Sequence, residues 1–172
     1  GNPIPYTIGT GPLYATVRLV DKFYNRATER VDADQDTNPV AVPPLVKIAL
    51  PRDSKASVPV PQVLTFGSAV FSISPKVSSR AYNVAAATAP DSPADYESGL
   101  STDTVYPGVV THFAYVFAST TVVAGEWFSP ELDALDAFEN IVGTGPNVYI
   151  RTVTFIVEDQ ANINQKPGIQ LP

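Results

Sequence analysis

Cysteine and methionine are absent from this 172-residue chain, and histidine and tryptophan occur once each, as His112 and Trp127. Without cysteine there is no disulfide scaffold, thiolate zinc site, iron–sulfur cluster or thiol nucleophile. A single histidine excludes a multi-histidine metal site within one chain and leaves one imidazole for any catalytic triad. No apolar run approaches the roughly 18 residues of a membrane-spanning helix. Charged residues make up 16% of the chain, against about 25% in ordinary soluble domains. Basic residues are missing altogether between Arg80 and Arg151, where nine acidic residues give a net −9. Residues 1–80 carry +3, residues 151–172 balance at zero, and the whole chain is −6.

What the chain does hold is proline, 17 residues, about twice the average usage. Hydrophobic residues form 44%, enough for a core, and the length fits one domain. Few charges with many Pro, Val, Thr and Ser point to an all-β protein with proline-studded connections. Losing both Cys and Met removes two oxidation-labile side chains, which suits exposure to heat. A chain beginning at Gly1 without Met is expected to be an excised fragment or one whose initiator Met was removed. Gly1–Pro12 lacks the basic and apolar regions of a signal peptide.

Charge blocks this asymmetric predict one acidic face, which is either solvated or docks on a basic surface of a neighbouring copy. Direct nucleic-acid binding is disfavoured, because no cluster of Lys and Arg is concentrated enough to follow a phosphate backbone.

Along the chain, Gly1–Pro12 reads as an extended arm, since Pro3, Pro5 and Pro12 forbid helix and disfavour a central strand. Leu13–Tyr24 alternates, with Leu13, Ala15, Val17, Leu19 and Phe23 on one face, and predicts a half-buried strand marred by Asp21. Asn25–Pro39 is polar and loop-like. Within Val40–Leu50, a strand starts after Pro43 and Pro44 or forms an edge. Gln62–Ser74 predicts a strand with Gly67 at a bulge or close approach, and Val77–Val84 another short one. Ala85–Tyr106, small and acidic, reads as a long loop. Val109–Ala118 is apolar on both faces and predicts a central strand. Ser129–Val142 has a Ser cap, Pro130 at the first turn and Leu132, Leu135, Phe138 and Val142 on one face, so it predicts the single helix. Asn147–Glu158 predicts a strand, and the polar segment from 159 to 172 a second arm. The domain proper is then 13–158. Long proline-rich crossings favour Greek-key or jelly-roll topology over a meander. The expected fold is therefore all-β, a single jelly-roll barrel or sandwich with one short helix and two extended arms.

No catalytic motif stands out, and the chain reads as no enzyme and as having no cofactor. Asp32, Asp34 and Asp36 alternate in a loop and form the one weak metal candidate, for a hard cation such as Ca²⁺. Thr37 and Pro43 stand where an EF-hand needs Gly and Glu, so a plain solvated loop is the competing reading. His112, mid-strand, reads as a hydrogen-bonded core residue, and no G-x-S-x-G elbow supplies it with a nucleophile. Glu126, Glu131, Asp133, Asp136 and Glu139 contain enough carboxylates for a glycosidase pair, but their spacing suits an exposed helix face. Trp127, Phe128 and Tyr6, Tyr14, Tyr24, Tyr82, Tyr96 and Tyr106 offer either a sugar-stacking platform or packing and interface.

The arm GNPIPYTIGTGP, the strands LYATVRLVDKFY, GVVTHFAYVFA and NVYIRTVTFIVE, and the tail QANINQKPGIQLP together resemble single jelly-roll viral capsid proteins. The likeness is to the smaller major capsid protein of tailless icosahedral internal-membrane bacteriophages of thermophiles. The resemblance implies a β-barrel subunit that assembles into capsomers in the virion shell. It would be a homo-oligomer with a second capsid protein as partner, near a viral membrane and without direct contact to nucleic acid. The terminal segments would engage neighbours, with Pro3, Pro5, Tyr6, Ile8, Ile163, Ile169 and Leu171 as interface candidates. Extended arms bury little within their own domain, so pairing with another chain satisfies their backbone groups. The alternative is a carbohydrate-binding or adhesin-type β-sandwich using Trp127 and loop tyrosines.

Overall fold

The computed structural model describes residues 4–26, 44–92, 96–116, 121, 123, 125–127 and 129–154. Nine strands and no helix lie among them. A five-stranded mixed sheet holds β1 (Tyr6–Thr7), β7 (Gly99–Tyr106), β6 (Ser79–Thr88), β3 (Leu45–Ala49) and β4 (Gln62–Val63), in that order. It curls into a half-barrel. Only the β1–β7 pair is parallel. Strands β2 (Leu13–Arg18) and β5 (Ser68–Ile73) form an antiparallel ribbon, and β8 (His112–Val116) and β9 (Glu131–Leu135) form another.

The core lies between the five-stranded sheet and the β2–β5 ribbon, in the manner of a β-sandwich. Leu13, Ala15 and Val17 alternate inward on β2, and Phe71 and Ile73 are fully buried on β5. They meet Val46 and Ile48 of β3, Tyr82 and Val84 of β6 and Val105 of β7. Alternation with period two puts one set of side chains into one core and leaves the other set in solvent. An extra residue on β6 between Ser79 and Tyr82 shifts the register against β7. Such a bulge keeps Tyr82 and Val105 on the same inward face. Ile8, within the expected N-terminal arm, is buried in this core, and its N–H bonds the Tyr106 carbonyl at 3.1 Å.

Several expectations need correction. The helix over Ser129–Val142 is absent: Glu131–Leu135 is a strand, and Asp136–Asn140 is a turn. The Asp136 carboxylate takes the N–H groups of Phe138 and Asn140 at 2.8 and 3.0 Å, so its side chain captures donors that a helix would use. The strand from Leu13 stops at Arg18, because the Asp21 carboxylate accepts from the N–H groups of Phe23 and Asn25 and turns the chain. Ala85–Tyr106 is largely the β6–β7 hairpin, and Thr88 at the end of β6 bonds Tyr96 ahead of β7. Strand β8 has β9 as its one strand neighbour among the described residues and is partly exposed, so it is not central. Residues 147–154 form no strand, and 155–158 lie outside the described residues. The strand in Val40–Leu50 does begin after the prolines, as β3. Gly67 sits in a turn ahead of β5 at φ 69°.

Candidate functional site

Proline-rich crossings between strands leave backbone groups unsupplied, and two buried carboxylates gather them. Asp53, in the turn after β3, is buried. Its Oδ1 accepts from the N–H groups of Lys55 (3.2 Å) and Ala56 (2.9 Å). Its Oδ2 accepts from Lys76 N (2.7 Å), Val77 N (3.1 Å) and the Tyr82 hydroxyl (2.9 Å). Burial, followed by the hydrogen bond to Asp53 and its charge, holds the Tyr82 phenol far above its ordinary value, so it remains a donor.

Asp136 is the second node. Its Oδ2 accepts from Gly108 N at 2.8 Å and from Asn140 Nδ2 at 2.9 Å. Asn140 then donates to the Lys76 carbonyl and accepts from Ser78 N, both at 2.8 Å. Burial pushes the Asp136 carboxyl up, but hydrogen bonds from Gly108, Asn140 and Phe138 outweigh it, and the group titrates below its ordinary value. Segment 76–78 is thus held from one side by Asp53 and from the other by Asn140. Lys55 Nζ donates to the Phe138 carbonyl at 2.6 Å, and Lys76 Nζ lies 4.0 Å from the Phe138 ring centre. No buried side-chain N or O among the described residues lacks a partner. Carboxylates saturated by fixed N–H donors have no free lone pair aimed at a reactant, so this cluster is a structural clamp.

The clamp carries the β8–β9 ribbon. Asp136 directly follows β9, and the far edge of β9 is closed by a Leu135–Ile141 bridge and by Val142 N bonded to the Ala134 carbonyl at 2.8 Å. Gly145, at φ 82°, makes the following turn against Tyr106, where an added Cβ would lie 2.6 Å from the ring. Phe113 meets Tyr149 edge-on, with centroids 5.2 Å apart. Around this anchored ribbon, Phe113, Tyr115, Val116, Ile141 and Ile150 expose much of their side chains, and Trp127 in the β8–β9 connection is 84% exposed. The register places Val116, Asp133 and Glu131 on one face and Tyr115 and Leu132 on the other. Exposed aromatic and aliphatic side chains grouped on one element beside charge are characteristic of contact surfaces.

The residues singled out in the sequence fall in different places. His112 is on the ribbon surface with its side chain 43% exposed, 3.3 Å from Glu139 Oε1, with Thr111 Oγ1 2.9 Å from Nδ1. It is therefore not a core histidine. Glu126 and Glu131 are exposed, whereas Asp136 is buried in the clamp and so does not belong to an exposed acidic face. Of the tyrosines singled out, Tyr82 is buried, Tyr6 and Tyr106 are half-buried at the β1–β7 pair, Tyr96 is half-buried beside Thr88, and Tyr14 and Tyr24 are exposed in and after β2. They do not form one platform. Of the interface candidates, Pro5 is exposed, Tyr6 donates its hydroxyl to the Gly11 carbonyl, and Ile8 is in the core. Pro3, Ile163, Ile169 and Leu171, and the metal candidates Asp32, Asp34 and Asp36, lie outside the described residues. No group of three metal-ligating side chains occurs among the described residues. Comparison with protein-family models, with curated proteins and with solved structures finds no match to this chain.

Proposed function

We propose that this chain is a structural assembly subunit, a single jelly-roll subunit of a viral shell that builds capsomers by contact with other copies of itself. The observation that carries this reading is the β8–β9 ribbon, a pair of strands fixed to the core by the Asp136–Asn140 clamp and offering aromatic and aliphatic side chains to solvent. A two-stranded ribbon is marginal in water on its own, and its exposed apolar area is stabilised when another surface covers it. The two-layer core supports a sandwich on which the jelly-roll connectivity is the proposed completion. A second capsid protein as partner, a place in the virion shell and proximity to a membrane belong to the same proposal and rest on the sequence resemblance.

Negative-stain electron microscopy of the concentrated protein tests the reading. Rings, sheets or shells of regular subunits are expected, and a featureless field of single small particles would overturn it. The exposure of Trp127 favours a second reading, a carbohydrate-binding sandwich. Binding on a glycan array that Trp127→Ala abolishes, in a protein that does not associate, would establish that reading instead.

A further inference from the structure

The end of the β2–β5 ribbon bears two turns built around aromatic residues in a conformation that such residues avoid. Thr65–Ser68 is closed by Ser68 N on the Thr65 carbonyl at 3.2 Å, with φ 50° at Phe66 and 69° at Gly67. Both central residues have positive φ, the geometry for which Asn-Gly is the favoured sequence. Tyr24, in the Asp21–Asn25 turn beside it, has φ 64°. Arg26 ties the turns together by donating to the Phe66 carbonyl at 3.3 Å and to Ser68 Oγ at 3.0 Å. A bulky side chain in the left-handed region costs stability, and such residues concentrate at functional sites. Here that cost places Tyr24 and Phe66 in water, 87% and 77% exposed.

The same tip is basic. Arg18 and Lys22 are exposed and form no ion pair with any described residue, and the local acid, Asp21, has its carboxylate engaged by the turn. The β8–β9 ribbon is the opposite in charge, with Glu131 and Asp133 forming no ion pair among the described residues and Trp127 beside them in sequence. The anchors of the two surfaces sit at opposite ends of β5: the tip joins at Ser68, while Lys76, three residues past Ile73, is bonded to Asn140 at the base of β9. Ser68 to Ile73 alone spans about 17 Å of strand.

Resting on the assembly reading, we infer that copies of this chain join head to tail, the tip of one (Arg18, Lys22, Phe66) seating on the acidic aromatic end of the next copy's β8–β9 ribbon (Trp127, Glu131, Asp133). The two surfaces are complementary in charge, cation against carboxylate, and each offers an exposed aromatic ring to the other. The contact is heterologous, so every open chain of copies retains one unused tip and one unused ribbon, at its two ends, until a ring closes.

Two full-length variants test it, Arg18→Glu/Lys22→Glu at the tip and Glu131→Lys/Asp133→Lys at the ribbon. All four positions are at the surface or partly so, and matching circular dichroism and melting confirm that each variant folds. Sedimentation velocity should show self-association weakened at least tenfold in each. An equimolar mixture should regain association as alternating copies, because the intact tip of one meets the intact ribbon of the other and the reversed tip meets the reversed ribbon. A chain carrying all four reversals should regain association, its charges now exchanged. A mixture no more associated than its components, or a fourfold variant as weak as either, overturns the head-to-tail contact. A wild-type chain that associates while ignoring both reversals overturns this contact and leaves the assembly reading standing. A wild-type chain that never associates overturns the assembly reading itself.

Discussion

Asp53 and Asp136 do at the scale of single residues what regular pairing cannot do in proline-rich crossings. Five donors converge on Asp53, including the Tyr82 hydroxyl. Removing a buried acceptor strands its donors, whereas removing one of several donors costs a single bond. Asp53→Ala should therefore lower the unfolding free energy by about 3 kcal/mol and Tyr82→Phe by about 1 kcal/mol in urea titrations. Asp136 titrates below its ordinary value of 3.8 because its hydrogen bonds outweigh burial. Its ionised form thus adds stability above the unfolded value, and that contribution is lost as pH falls through the folded one. Unfolding free energy should fall less steeply between about pH 5 and pH 2 in Asp136→Asn than in the native chain. Neither carboxylate is conspicuous in the sequence, where an acid in a loop looks solvated. Asp136 reads there as one of several acids on a helix face. The D-x-x-x-N spacing to Asn140 is the local signal that could have revealed the turn.

At the scale of elements, large alternating side chains made strands legible and small ones hid them. Leu13 to Val17 alternates between half-buried and exposed, as its pattern requires. The end of β6, Val-Ala-Ala-Ala-Thr, has no large apolar side chains to mark a period, so the end of β6 and all of β7 read as a loop although they lie within the sheet. Leu132, Leu135, Phe138 and Val142 have helical spacing, but pairing with β8 and the donors captured by Asp136 decide for strand and turn. Tyr6–Ile8, by pattern part of an arm, is held by β7 and the core. Ile8→Ala should cost about 3 kcal/mol in thermal or urea unfolding, so a deletion reaching Ile8 perturbs the fold as well as any interface. The Phe66–Gly67 turn makes the opposite prediction. Phe66→Asn relieves the left-handed strain and should raise stability by about 1 kcal/mol, while weakening self-association through loss of the exposed ring. Differential scanning calorimetry paired with sedimentation reads both changes on one sample.

For the whole molecule, the uneven charge and the scarcity of reactive side chains acquire a spatial meaning. The first 80 residues carry +3 and the next 70 carry −9. The exposed bases Arg18, Lys22 and Arg26 lie at one tip of the β2–β5 ribbon, and the exposed Glu131 lies on β8–β9. What was legible in the sequence was the all-β class, the sign of each charge block and the alternating strands at Leu13 and Ser68, though not the absence of a strand over 147–154. What was not legible was which turns would hold aromatic residues outward, because that depends on hydrogen bonds between segments distant in the chain, such as Arg26 to Phe66. On the proposed reading this chain functions by contact with its own copies, and sedimentation velocity of the native chain over a wide concentration range is the direct test. Species heavier than the 18.3 kDa protomer are expected, growing with concentration and diminishing with added salt. A single 18.3 kDa species at every concentration and salt would contradict that reading.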